Sequence, residues 1–422
     1  MAENRKAANF NFGFKGWRVI ILTFGVCMFV VINGTMYMNM FTPAIAEARG
    51  WSYPLLLSFS TYAGYAGLVL FPFVCQLTIK KGPKFVMTAA LFVAAAGMAL
   101  LGNAVEIWQY ILAVVLLRFG LMSFLNGSMG ALANNWWPFR KGFALGIITI
   151  GMHAADSTMP TAIGNMQGMW GLGVPSLVLA GFEVVLAVLF IFFIKSTPEE
   201  HGVFPDNNPV SVEESRKVRE LLESHKSEWT FRKLVTTPFI WHMALPTGIM
   251  WLATVGIMSQ IVPRFLDLGF GIEYALLGIS LAGICGLFGS YFWGWLDQKF
   301  GTKRAVTIFL IYYSVVYLLF AVSSSLPLMI LCVIMGGFGT GGNANLCPSL
   351  TGTIFGRLDF PAVQKFSGLV QDFFFVTAPG IVAFSLAFLG GFRGAYLILL
   401  VVCIVGTILI ATLNDRFRGT PG

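Results

Sequence analysis

Long apolar segments alternate with short polar ones along almost the whole chain. A helix that crosses a membrane requires ~20 mostly apolar residues, and twelve runs of about that length are present, here called spans 1 to 12. The spans cover residues 17–40, 53–79, 84–102, 107–134, 142–166, 173–195, 238–262, 274–296, 304–322, 326–350, 362–389 and 392–413. The pattern predicts an all-α membrane protein with twelve transmembrane helices.

The spans form two copies of one unit. Asn126 and Asn345 are 219 positions apart, as are Pro160 and Pro379 (345 − 126 = 219 and 379 − 160 = 219). This offset predicts two pseudo-symmetric six-helix bundles. Repeated bundles of this kind are typical of secondary transporters, whose solute site lies between the halves near the middle of the membrane.

The predicted domains are an N-terminal half at residues 1–195, a polar linker at 196–237 and a C-terminal half at 238–422. The linker contains a segment with the pattern of a short amphipathic helix at the membrane surface. A solvated connection between the halves is the alternative interpretation.

A tight basic turn between spans 8 and 9 has a weaker copy between spans 2 and 3. The first contains Asp297, Gly301 and Arg304, and Gly82 is the counterpart of Gly301 (301 − 82 = 219). We expect these four residues to act as gating turns during the transport cycle.

The distribution of positive charge predicts the orientation of the chain. Lys and Arg collect at both termini, in the linker and in the turns after even-numbered spans, whereas the alternate loops hold only Arg49, Arg264 and Arg393. By the positive-inside rule both termini are cytoplasmic, in a multi-pass protein of the cell membrane.

Composition narrows the function classes. The chain is 57% hydrophobic and 11% charged, against roughly 25% charged residues in soluble domains. The net charge of +8 is explained by topology and by anionic lipid headgroups, so no nucleic-acid partner is expected. All six Cys lie in or beside apolar spans, so neither a disulfide framework nor a metal or cofactor site is predicted.

Three motifs carry a family resemblance: the turn after span 4 at 134–142, the entry to span 7 at 237–241, and the end of span 8 at 292–301. The chain resembles the major facilitator superfamily over nearly its whole length. More narrowly, it is similar to the oxalate/formate antiporter and monocarboxylate porter group. The resemblance implies the superfamily fold and a small carboxylate substrate.

Several positions depart from that family pattern. The superfamily turn usually has Asp where Gln298 stands, and Asp297 is one residue early. The Arg and Lys to which oxalate-type members owe anion binding match Ser290 and Asp372. The resemblance therefore does not carry a dicarboxylate substrate with it.

Ionisable side chains deep in the membrane are costly and by default mark function or a buried pair. Arg118, His153, Asp156 and Asp372 fall at mid-span, and Glu183 is a fifth case. We expect His153, Asp156 and Asp372 to couple transport to protons, and Arg118, His153 and Asp372 to bind the solute. The alternatives are a simple interhelical hydrogen bond from His153, an Arg118–Asp156 pair, and a packing role for Glu183.

Uncharged side chains complete the candidate set. Amide groups orient a solute in an apolar pocket, and aromatic rings can enclose a cation. These candidates are Asn33, Tyr37, Asn126, Trp251 and Asn345. Ordinary hydrogen bonds or packing between helices are the alternative for each.

Together these features predict a secondary active transporter that moves a small organic solute by alternating access, driven by protons or by exchange. The monocarboxylate class follows from the resemblance. A zwitterionic or cationic amine bound by Asp372 and Asp156 is the first alternative, and a non-transporting membrane sensor is the second. Membrane lipid is the expected surrounding partner, the chain is expected to be a monomer, and no enzymatic activity is predicted.

Overall fold

The structure is a computed structural model that describes residues 12–207, 220–221, 224–389, 391–416 and 418–419. Within these ranges it is helical, without β-strands. The helices are α1 (Gly13–Val30), α2 (Thr35–Arg49), α3 (Tyr53–Lys81), α4 (Pro83–Asn103), α5 (Ile107–Phe124), α6 (Gly130–Trp136), α7 (Lys141–Trp170), α8 (Gly173–Phe193), α9 (Phe231–Thr236), α10 (Pro238–Met258), α11 (Ile261–Asp267), α12 (Ile272–Phe300), α13 (Thr302–Val322), α14 (Leu326–Phe388) and α15 (Phe392–Thr412).

These helices agree with the twelve predicted spans. Span 1 is α1 and α2, joined by the 3₁₀ turn Val31–Asn33, and span 4 is α5 and α6, joined by the π-turn Leu125–Met129. Spans 10 and 11 are the two parts of α14. In the described part of the chain, ten helices are long and apolar enough to cross a membrane, with α14 counted once.

Glycines with positive φ mark the helix boundaries that the sequence predicted. Gly82 ends α3 at φ 80°, ψ 159°, and its repeat-mate Gly301 ends α12 at φ 85°, ψ 151°. Gly356 interrupts α14 at φ 65°. This region of backbone space is open to glycine at little steric cost, so both copies of the basic turn have one conformation.

The chain packs as two compact units. Unit N contains the described residues within 11–136 and 154–223, and unit C contains those within 137–153 and 224–422. The beginning of α7 thus belongs to unit C, although it lies in the N-terminal half of the sequence. The predicted boundaries at residues 195 and 238 stay a prediction.

The first residues of the linker are bound to unit N. Trp136 donates its indole N–H to the Lys195 carbonyl at 3.0 Å, and Lys15 Nζ donates to the His201 carbonyl at 2.5 Å. The His201 ring accepts a hydrogen bond from Arg18 at 3.1 Å. Burial, with the added repulsion of Arg18, lowers the pKa of His201 from its ordinary 6.5.

The last residues of the linker are bound to unit C. His225 and Ser227 both contact Asp359 Oδ1, at 3.1 and 2.5 Å, and the ring of Trp229 packs edge-on against Phe355. The linker is therefore anchored at each end, while most of its predicted amphipathic helix lies outside the described residues.

Candidate functional site

The beginning of α7 packs very closely against α12 in unit C. A Cβ atom on Gly146 would lie 2.8 Å from the Ser290 carbonyl oxygen and 3.1 Å from Gly294 Cα. A Cβ atom on Gly294 would in turn lie 2.6 Å from the Gly142 carbonyl oxygen. Small residues at four-residue spacing let two membrane helices approach to backbone contact. This α7–α12 glycine contact positions the side chains that follow it.

His153 lies two turns beyond Gly146, on the same face of α7. It is 7% exposed. A Cβ atom on Gly286 of α12 would lie 2.7 Å from His153 Nδ1, so the imidazole rests on the backbone of α12 at a position that only glycine leaves open. His153 is therefore buried within unit C and does not point into lipid.

Asp297 lies at the other end of this contact and is 5% exposed. Its carboxylate accepts hydrogen bonds from Thr302 at 2.5 Å and from Ser349 at 2.5 Å, which ties α12 to α13 and α14. A Cβ atom on Gly142 would overlap Asp297 Oδ2, so the carboxylate lies against the first turn of α7. The N-terminal end of a helix favours negative charge, so this placement of the Asp297 carboxylate is electrostatically favourable.

The other gating-turn residues differ in their surroundings. Gly301 is open to solvent, and a Cβ atom on it would meet nothing within 4 Å, whereas one on Gly82 would lie 2.6 Å from Ser196 Oγ. Arg304 is exposed on the first turn of α13. A side chain in place of the turn glycine would therefore be crowded at Gly82, by Ser196 at the start of the linker, but not at Gly301.

Asp372 lies on the second part of α14 and is 7% exposed. The preceding Gln371 donates to Thr247 Oγ1 of α10 at 3.1 Å. Phe375, three residues after Asp372, packs edge-on against Trp251 of α10, with ring centroids 5.7 Å apart. Residues three apart share a helix face, so a carboxylate and an aromatic pair occupy one side of α14.

Asn345 is fully buried and donates to the Ser290 carbonyl of α12 at 3.1 Å. Asn343 similarly donates to Thr254 Oγ1 of α10 at 2.6 Å. Both amides hold α14 against neighbouring helices. A hydrogen bond between helices is the alternative that the sequence analysis gave to solute binding.

The remaining candidates lie in unit N. Arg118 on α5 and Asp156 on α7 are partly buried, and their pairing stays a prediction. Asn33 is fully buried in the turn between α1 and α2. The side chains of Tyr37 and Asn126 lie outside the described residues.

Two interactions were not found from sequence. Asn33 Nδ2 donates to Glu183 Oε1 of α8 at 2.7 Å, and Asp297 bonds Ser349 across 52 residues. Asn33, Glu183 and Asp297 were each singled out in the sequence, but their pairing was not, because hydropathy and spacing do not show which helices pack together. Among the described residues, no group of three or more His, Cys, Asp or Glu could hold a metal ion.

Sequence similarity to curated relatives extends over most of the chain. It is 24% identical over 412 residues to the multi-drug resistance efflux pump PmrA homolog of Lactococcus lactis, covering 94% of this chain and 93% of that protein. It is 24% identical over 308 residues to the efflux pump PmrA of Streptococcus pneumoniae, covering 71% and 70%. The narrower resemblance to the oxalate/formate and monocarboxylate group stays a prediction.

Solved structures show the same fold. A variant of the Escherichia coli fucose:proton symporter FucP matches with TM-score 0.74 and 14% identity, over 94% of this chain and 98% of that one. The human organic anion transporter MFSD10 matches with TM-score 0.73 and 13% identity, over 93% and 99%. The family model of the Major Facilitator Superfamily matches residues 23–323 and 277–420. The chain is a multi-pass membrane transporter that belongs to the Major Facilitator Superfamily.

Proposed function

We propose that this protein is a secondary active transporter that exports amphipathic organic solutes carrying an amine, by alternating access in the cell membrane. Its ends face the cytoplasm, as the distribution of Lys and Arg predicts. It works as a monomer, and the driving force is exchange for protons.

The observation that carries the choice of solute is the face of α14 formed by Asp372 and Phe375. The buried carboxylate offers a counter-charge for an ammonium group, and the Trp251–Phe375 pair offers aromatic surface beside it. Aromatic rings attract cations most strongly where water is excluded. A solute with one amine and an apolar body matches both features.

The printed names of the relatives support the same class. The relatives from Lactococcus lactis and Streptococcus pneumoniae are named multi-drug resistance efflux pumps. These names favour structurally diverse organic solutes over a single metabolite as the substrate. They also favour export over uptake as the direction of transport.

Proton coupling is assigned to His153, Asp156 and Asp372. An imidazole is the side chain whose ordinary pKa is closest to physiological pH, and His153 is held against α12, which moves relative to α7 if the repeat halves rock. The two aspartates supply acceptors whose charge the solute or the proton can neutralise.

A small monocarboxylate is the second candidate solute. It is favoured by Arg118, which lies partly buried near the middle of α5 and matches a carboxylate in charge and geometry. This candidate also follows from the family resemblance of the turn after span 4.

The deciding experiment is solute flux in proteoliposomes with an imposed proton gradient. Lipophilic amines and short monocarboxylates are compared for wild type, Asp372→Asn and Arg118→Gln. Amine flux that is lost in Asp372→Asn supports the proposal, whereas carboxylate flux that is lost in Arg118→Gln supports the second candidate. Absence of flux for both classes, together with solute binding, contradicts transport and favours a sensor.

A further inference from the structure

Glu183 occupies the middle of α8, with ten residues on either side (183 − 173 = 10 and 193 − 183 = 10). At about 1.5 Å per residue it lies about 15 Å from each end of the helix. Its neighbours Phe182 and Val185 are 50% and 56% exposed, as expected for a helix that faces lipid, but Glu183 itself is 1% exposed. The carboxyl group is therefore directed into unit N at the centre of an apolar span.

The partner of Glu183 lies where the first span is broken. Asn33 ends the 3₁₀ turn between α1 and α2, and Gly34 is extended at ψ 170°. Asn33 is 0% exposed, and its Nδ2 donates to Glu183 Oε1 at 2.7 Å. A helix that is interrupted at membrane depth is tolerated only where the break is buried in protein or lines a water-filled cavity. The acid is thus hydrogen-bonded to the break in span 1.

One atom on each side of this pair has no hydrogen-bond partner among the described residues. These atoms are Glu183 Oε2 and Asn33 Oδ1, and both are buried. In the ionised form both are acceptors, so neither can satisfy the other. A proton on Oε2 would turn the carboxyl group into a donor toward Oδ1, and the acid and the amide would then form two reciprocal hydrogen bonds.

Two cations of the helices packed against α8 contact its last turn rather than its middle. Arg18 of α1 stacks over Phe193 at 5.7 Å, and Lys84 of α4 donates to the Ile191 carbonyl at 2.7 Å. Both contacts are in the last turn of α8, eight to ten residues and about 12–15 Å from Glu183.

Further ionisable groups lie on the helices packed against α8. Lys15 of α1 bonds the His201 carbonyl, and Cys27 bonds Met129. On α5, which contacts α8 through Phe124 and Phe190, the ionisable groups are Tyr110 and Arg118. Among the described groups, the side-chain partner of Glu183 is Asn33.

We propose that Glu183 is a proton-binding site of the transport cycle, protonated while it is paired with Asn33 and deprotonated when the break in span 1 opens it to water. The O–H bond forms at Oε2 with a proton from solution, and the same proton returns to solution when the pair separates. This proposal rests on the proposed transport function. It adds a coupling site in unit N that is distinct from His153 and Asp372.

The first test does not require transport. Dicyclohexylcarbodiimide modifies carboxyl groups that are protonated in apolar surroundings, and mass spectrometry locates the product. The expected result is modification of Glu183 from about pH 6 to about pH 8, where ordinary carboxylates are ionised, and none at the exposed Glu106. Absence of modification of Glu183 over this range, in protein that retains its thermal transition, would overturn the proposal.

The second test uses Glu183→Gln, whose amide can accept from Asn33 Nδ2 and donate to Asn33 Oδ1, and so mimics the protonated acid. The expected result is solute exchange at the wild-type rate, with proton-driven flux at least about tenfold slower. Glu106→Gln serves as the matched control and is expected to behave as wild type. Unchanged proton-driven flux in Glu183→Gln refutes the role of Glu183, whereas absence of any flux in wild type refutes the transport function and leaves the modification result to decide protonation.

Discussion

Replacing Gly146 by Ala tests whether backbone contact between α7 and α12 controls the conformation of the transporter. The new Cβ would lie 2.8 Å from the Ser290 carbonyl oxygen and 3.1 Å from Gly294 Cα. Carbon atoms make favourable contacts at about 3.5–4.0 Å, so the two backbones must separate by roughly 1 Å. Both neighbours are backbone atoms and cannot rotate away.

Overpacking of this kind costs about 1–3 kcal/mol. The conformation with α7 against α12 should be destabilised by that free energy relative to one in which the two helices are apart. This changes the population ratio of the two conformations by about 5-fold to about 150-fold. The expected result for Gly146→Ala is therefore a larger separation of α7 and α12, with slower transport and a protein that remains folded.

The assay is the distance between nitroxide labels at positions 139 and 299, where Phe139 and Lys299 are exposed. Cys285 is replaced beforehand, because it alone of the six cysteines is partly exposed. Gly168→Ala is the control, since it lies on the same helix and a Cβ there would meet nothing within 4 Å. Equal label distances and equal melting temperatures for the two variants would refute the reasoning.

Three further predictions concern stability. Asp297→Asn weakens two charge-assisted hydrogen bonds, from Thr302 and Ser349, and should lower the free energy of unfolding by about 2–4 kcal/mol. The control is Asp415→Asn at an exposed position, which should cause no measurable change. Equal urea midpoints for the two variants in micelles would contradict this prediction. Because burial lowers the pKa of His201 below 6.5, the unfolded chain takes up the proton first, so stability should fall as pH drops through 6.5 toward the folded pKa. His201→Asn should remove this part of the pH dependence of thermal unfolding, and an unchanged profile would count against it. Asn345→Ala should lower the free energy of unfolding by about 1–3 kcal/mol, because it loses the hydrogen bond to the Ser290 carbonyl, and it should leave solute affinity unchanged. A lower affinity at an unchanged free energy of unfolding would instead indicate that Asn345 binds the solute.

The predicted architecture followed from physics that acts locally along the chain. A bilayer requires about twenty apolar residues per helix, so hydropathy alone located the membrane-spanning helices, whereas the short helices α9 and α11 lie wholly or mostly outside the predicted spans. The paired turns at Gly82 and Gly301 were predicted from the repeat, and their nearly equal backbone angles confirm it. The mid-span positions of His153, Asp372 and Glu183 were visible for the same reason, since charge is rare at that depth.

Tertiary structure decided which of these groups meet. That α7 begins in unit C, that His153 rests on Gly286, and that Glu183 pairs with Asn33 depend on how helices cross, and the sequence constrains crossing only weakly. Lipid tails are as apolar as the helix surface, so the hydrophobic effect does not select which helices pack together. Small residues and single hydrogen bonds select the packing partners instead. Hydropathy therefore fixes where each helix lies along the chain, whereas contacts between residues far apart in sequence fix what its few polar groups do.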